Sequence, residues 1–132
     1  MSTILVADDN ANARRPLVRL LKMEAYDVLI ATDALEAMAC AQRGHPDLIL
    51  LDVAMPPIDG LTLLSRLREM PEGRDVPVIL ITGMCDALTH ARAEELKVKE
   101  YLVKSQFTPE ELLKLIKLHL RTHPAQPDQV PA

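Results

Sequence analysis

Leu48-Ile-Leu-Leu-Asp52-Val-Ala-Met-Pro-Pro57 is the stretch on which the fold turns. Four aliphatic residues follow one another with no polar alternation, and the run stops on an acid and a pair of prolines. A strand with one wet face alternates apolar and polar residues; an uninterrupted run suits a strand covered on both faces, as in a parallel sheet. Working outward, four more runs have the same character: Thr3 to Ala7, Val28 to Ala31, Val78 to Ile81 and Tyr101 to Val103. The last is shorter and reads as an edge strand.

Helix signals fill the intervals. Leu17, Leu20, Leu21 and Met23 lie on or near one face of a helix predicted to start near Asn12, with Pro16 in its first turn, where the missing N–H costs nothing. Asp33-Ala-Leu-Glu36 has capping-box spacing, and Gly44 is expected to close the second helix. Asp59 caps a third carrying Leu61, Leu64 and Leu67. A fourth runs from about Ala87 to Leu96 with few large anchors. Thr108-Pro-Glu-Glu111 starts the fifth with a hydroxyl cap, a proline and two acids at the positive end of the dipole. Leu112, Leu115, Ile116, Leu118 and Leu120 follow as its apolar residues. The pattern is βα five times over, which predicts an α/β protein with an open parallel sheet between helical layers. Residues 1–121 form the predicted domain, and 122–132, rich in proline, a flexible tail.

The whole chain, at 132 residues, has the length of one domain and is 48% apolar with only three aromatic rings, Tyr26, Tyr101 and Phe107. Its net charge of −4 argues against a nucleic-acid partner, since the phosphate backbone rewards clustered cations. Cys40 and Cys85 form no CxxC pair, which suits a reducing compartment. Ile4 to Ala7 is too short for a signal peptide or a membrane span. A cytoplasmic protein without membrane insertion is the expectation.

Ligands in open α/β sheets bind at the carboxyl ends of the strands. There the sequence places Asp8-Asp9 after the first strand, Asp52 after the third, Thr82 after the fourth and Lys104 after the fifth. Three carboxylates within about 4 Å repel by several kcal/mol at an intermediate dielectric. A divalent cation with oxygen preference resolves that repulsion, and Mg2+ fits because it binds through few carboxylates and keeps waters. Mg2+, a lysine and a hydroxyl around one carboxylate make a phosphoryl-transfer environment, in which the carboxylate can be the nucleophile.

Asp8-Asp9-Asn10, Asp52-Val-Ala-Met-Pro56, Asp59-Gly60, Ile81-Thr82-Gly83 and Tyr101-Leu-Val-Lys104 together resemble the motif set of response-regulator receiver domains, with matching separations between Asp52, Thr82 and Lys104. The resemblance runs from about Thr3 to Arg121. It implies a flavodoxin-like sheet of order 2-1-3-4-5 and a phosphate acceptor, Asp52, supplied by the phosphohistidine of a sensor histidine kinase or a histidine phosphotransfer protein. It also implies Mg2+ held by Asp9, Asp52 and the backbone carbonyl of Ala54, with Asp8 holding a metal-bound water. Lys104 would pair with the phosphoryl oxygens, Thr82 would bond to them after transfer, and Tyr101 would turn inward behind it to switch a face read by a downstream protein target or to accompany phosphate relay. A stand-alone regulator and not a turnover enzyme is the expectation.

Two departures from the family pattern carry their own expectations. Ser105 stands where the family places proline after its lysine, which predicts a rearranged Ser105-Gln-Phe107 loop. A Lys-Ser-Gln-Phe stretch also resembles receivers attached to chemotaxis-type kinases. Ala54 and Met84 follow Asp52 and Thr82 by two residues and cannot orient an attacking water, which predicts slow self-dephosphorylation.

Other readings remain beside this one. A haloacid-dehalogenase-type hydrolase needs a second acid two residues after its nucleophile, which neither Asp8 nor Asp52 has. A flavodoxin needs a hydroxyl-rich phosphate loop where this chain has acids. A receiver-like binding module that works without phosphorylation stays open. His119 and His123 read as a solvated helix end, Cys85 as a thiol without a base, and Met55 as packing. Lys97, Lys99, Lys104, Lys114 and Lys117 read as a mildly basic end.

Overall fold

A computed structural model describes residues 2–55, 58–83 and 86–122. Five parallel strands, β1 (Thr3–Ala7), β2 (Asp27–Ala31), β3 (Leu48–Asp52), β4 (Val78–Thr82) and β5 (Glu100–Val103), form one sheet of order β2-β1-β3-β4-β5. The helices are α1 (Ala11–Met23), α2 (Ala34–Gly44), α3 (Gly60–Arg68), α4 (Ala87–Glu95) and α5 (Pro109–Thr122). This is the flavodoxin-like α/β fold.

The alternating pleat sorts strand residues between two cores. Leu5, Ala7, Ile49, Leu51, Val78 and Leu80 face α2, α3 and α4. Ile4, Val6, Leu48, Leu50, Ile79 and Ile81 face α1 and α5. β3 and β4 are buried along their whole length, which is why both read as unbroken apolar runs. β5 lies at one edge and is half-buried throughout. The other edge is β2.

Helix ends depart from the sequence expectations in three places. α1 starts at Ala11 behind Asn10, whose side chain accepts N–H bonds from Asn12 and Ala13. Pro16 therefore sits in the second turn, where its ring removes a bond to the Asn12 carbonyl. Both residues are exposed, so water can serve that carbonyl. Gly44 is still helical, and His45 takes the left-handed conformation (φ 45°) that ends α2. A Cβ at Gly44 would meet the tip of the Leu29 side chain, which would have to move aside. His119 is not solvated: its ring is mostly buried and its Nε2 lies 2.8 Å from Glu100 Oε2, tying α5 to β5. α5 opens on a reciprocal box, Thr108 N–H to Glu111 Oε1 (2.9 Å) and Glu111 N–H to Thr108 Oγ1 (3.1 Å). His123, the segment 123–132, Met84 and Cys85 lie outside the described residues.

Arg68, at the end of α3, holds the lower side of the sheet. Its guanidinium donates to the carbonyls of Leu96 (2.9 Å), Gly73 (2.9 Å), Val76 (2.6 Å) and Lys97 (3.3 Å). Burial pushes its pKa below the usual value. One side chain thus fastens the α3–β4 connection to the turn after α4.

Candidate functional site

β1 and β3 are neighbours, and both end at the same rim of the sheet, so Asp8 and Asp52 meet there. The carboxylates of Asp8, Asp9 and Asp52 each offer an oxygen within 4.8 Å of the others. Asp8 and Asp52 are each only 4% exposed, whereas Asp9 faces solvent. Asp8 is fixed from both sides: its N–H donates to Ala31 O (3.1 Å) and its Oδ1 accepts from Asn10 N–H (2.9 Å). Asp52 Oδ1 accepts from Ala54 N–H at 3.4 Å.

Lys104 arrives from β5. Its N–H donates to Thr82 O at 2.7 Å, which sets the residue against the end of β4. Its Nζ then stands 3.5 Å from Asp8 Oδ2 and 3.5 Å from Asp52 Oδ2. It is thereby separated from the basic end to which the sequence reading had joined it; Lys117, another member, pairs with Glu24 at 3.4 Å. The next residue, Ser105, adopts φ 64°, and Gln106 N–H closes a turn on Val103 O. A non-glycine residue in that region costs about 1 kcal/mol or more.

One cation does not balance three acids. Burial, followed by the Asp8 carboxylate, pushes Asp52 up to about 6, against the lowering effects of Lys104 and the Ala54 N–H. A buried carboxylate destabilised by its own neighbours gains most from further positive charge, and an all-oxygen donor set suits a hard cation. The residues present fit Mg2+.

Thr82 is the last residue of β4, buried, and one step beyond Ile81, the register partner of Asp52. Tyr101 lies opposite Leu80, half-buried on the α4 side. Its ring meets that of His90 on α4 edge-on, 5.0 Å between centroids at 61°. Met55 is fully buried in the core beside the site.

Three contributors left little trace in the sequence. Gly60 starts α3 directly against the end of β3, where a Cβ would stand 2.9 Å from Val53 Cα and strike the Asp52 carbonyl; its N–H donates to Val53 O at 2.6 Å. Arg14 Nη1 donates to Asp8 O at 2.9 Å. His90 is held by Glu94, Nδ1 to Oε1 at 3.3 Å. Only the glycine after Asp59 gave a hint.

Residues 4–117 match the family model described as the response regulator receiver domain. The chain belongs to that family. Among curated proteins, the receiver domain is 40% identical over 118 residues to a "Probable transcriptional regulator ycf27" of Porphyridium aerugineum, covering 89% of this chain and 48% of that one. The corresponding protein of Cyanophora paradoxa is 39% identical over the same coverage. The chain thus spans about half the length of these relatives. An "Uncharacterized 14.6 kDa protein in sodA1 3'region" of Leptolyngbya boryana is 35% identical, with 92% of each chain covered. Among solved structures, a CheY-like receiver domain protein of Methanospirillum hungatei JF-1 superposes with a TM-score of 0.86 at 26% identity, covering 93% and 96% of the two chains. The BeF3-activated N-terminal receiver domain of Klebsiella pneumoniae RstA gives 0.82 at 28% identity, covering 90% and 98%. The receiver domain contains, among its described residues, no helix long and apolar enough to cross a membrane.

Proposed function

We propose that this receiver domain takes a phosphoryl group onto Asp52 from the phosphohistidine of a sensor histidine kinase or histidine phosphotransfer protein, and passes the change to a protein target or relays the group onward. The observation that carries this reading is the convergence of Asp8, Asp9, Asp52 and Lys104 on one strand-end rim. A carboxylate oxygen of Asp52 attacks phosphorus, the P–N bond breaks, and the donor imidazole leaves with the bonding pair and takes a proton. Asp9, Asp52 and the Ala54 carbonyl, with Asp8 through a water, would hold Mg2+, which neutralises charge as the group transfers.

Lys104 then faces the added phosphoryl oxygens, and Thr82 follows them while Tyr101 moves against α4. A local charge change biases an element with two positions, so that α4 and β5 display the result. The protein acts in the cytoplasm as a domain that runs one residue past the expected boundary at 121, to Thr122 at the end of α5, with the tail after it, working through its partners without turning over a substrate.

Intact-mass measurement with acetyl phosphate and Mg2+ tests this. One phosphoryl group is expected on the wild-type chain and none on Asp52→Asn. No adduct on either favours a module that binds partners without phosphorylation, and an adduct that survives Asp52→Asn overturns the site.

A further inference from the structure

α1 concentrates positive charge in an acidic protein. Arg14, Arg15, Arg19 and Lys22 all lie on it, and the helix contains no acid at all. Acids favour the positive end of a helix dipole, yet α1 has none in its first turn and carries Arg14 and Arg15 immediately after it. Among the described residues none of these four cations makes an ion pair. Arg14 to Lys22 spans about 12 Å of helix axis, and each cation lies no more than about 6 Å along it from the next, inside the screening length of about 8 Å at physiological salt, so neighbouring charges act on an approaching anion together.

Those cations wall a groove of about 610 Å³ that reaches the free edge of the sheet at Ile30. Its apolar members are unusually open: Met23 is 76% exposed and Ile30 41% exposed. The groove therefore offers two kinds of contact at once, a row of guanidinium and ammonium donors and an apolar strip beside it. Arg14 is prevented from folding away by its bond to the Asp8 carbonyl.

We propose that this groove between α1 and β2 docks an acidic segment of a partner protein, with aliphatic side chains on Met23 and Ile30 and carboxylates on Arg15, Arg19 and Lys22. Charge complementarity selects an anionic occupant, and the exposed strip selects one with apolar anchors. The chain's net −4 repels a bulk polyanion such as duplex nucleic acid or an anionic bilayer, whereas a short acidic segment meets the local field. Docking here does not depend on the chemistry of Asp52.

Fluorescence anisotropy with a labelled peptide of Glu-Leu-Asp repeats is the test. Saturable binding is expected, weakened about tenfold by Arg15→Gln/Arg19→Gln and again by replacing the peptide's Leu with Ser. Amide shifts should centre on α1 and β2, and Asp52→Asn should bind as the wild type does, which separates this proposal from the phosphoryl reading. Circular dichroism confirms that the variants fold; should the double variant unfold, the wild-type amide map alone decides. Equal binding by the glutamine variant, shifts centred elsewhere, or tighter binding of phosphatidylserine vesicles or duplex DNA overturns the proposal. Concentration-dependent dimerisation lost in the same variant also overturns it, because the occupant is then a second copy.

Discussion

The ammonium of Lys104 stands 3.5 Å from Asp52 Oδ2, although the two residues end strands separated by β4. The same ammonium is equally close to Asp8. Lys104→Ala should leave the fold intact and slow Asp52 phosphorylation by acetyl phosphate about a hundredfold, the usual scale for removing one preorganised charge from a reacting oxygen. Stopped-flow or quenched mass measurements check it, and an unchanged rate removes Lys104 from the reaction.

Asp52 is pushed up to about 6 from 3.8. Its folded form holds a proton more tightly than its unfolded form, so metal-free stability falls as pH rises from about 4 to about 6 and stays low above that. Asp52→Asn removes the penalty. In EDTA the variant should be more stable than wild type at pH 8, and the difference should close below pH 4. Thermal melts at the two pH values decide, and Mg2+ should narrow the gap at pH 8 by stabilising the wild type.

Arg68 serves the carbonyls of Leu96, Gly73, Val76 and Lys97. Arg68→Met keeps most of the stem's packing but abandons those acceptors, and should cost about 2–4 kcal/mol in urea unfolding. A loss under 1 kcal/mol would mean that water replaces the guanidinium.

Ala25 ends α1 at φ 65°, with Tyr26 N–H bonded to Leu21 O. Glycine suits that conformation, and Ala25→Gly should gain about 0.5–1 kcal/mol. Equilibrium unfolding reads it directly.

Ala54 is exposed and its backbone N–H lies beside Asp52. Its methyl group cannot position water, so the phosphorylated chain should keep its group for minutes or longer, and Ala54→Glu should shorten that lifetime. A wild-type half-life of seconds counts against the idea.

The strands were legible because burial on both faces leaves an unbroken apolar run, and the acid rim because parallel strands end together. Helix ends were less so. Ala25, His45 and Lys97 all take left-handed conformations that glycine usually occupies, so nothing in their identity marks a stop. His119 reads as a solvated helix end, and nothing local singles out Arg68, because their partners are remote: Leu96 lies 28 residues from Arg68, and Glu100 lies 19 from His119. Local spacing carries no information about such bonds. Arg14 was invisible for a different reason, since its acceptor is a backbone carbonyl that every residue possesses.

β3 is sealed along its length, while β5 is half-buried and α4 contributes a single buried residue, Ala93. Asp52 therefore ends one of the two fully sealed strands, while α4 and β5 form a more compliant margin on the side of Lys104. Amide hydrogens on β3 should exchange only through global unfolding, whereas those of α4 should exchange through small local openings. Compliance graded in this way lets work done at the rim reach a border beside Lys104 where little apolar surface must be exposed for the backbone to shift.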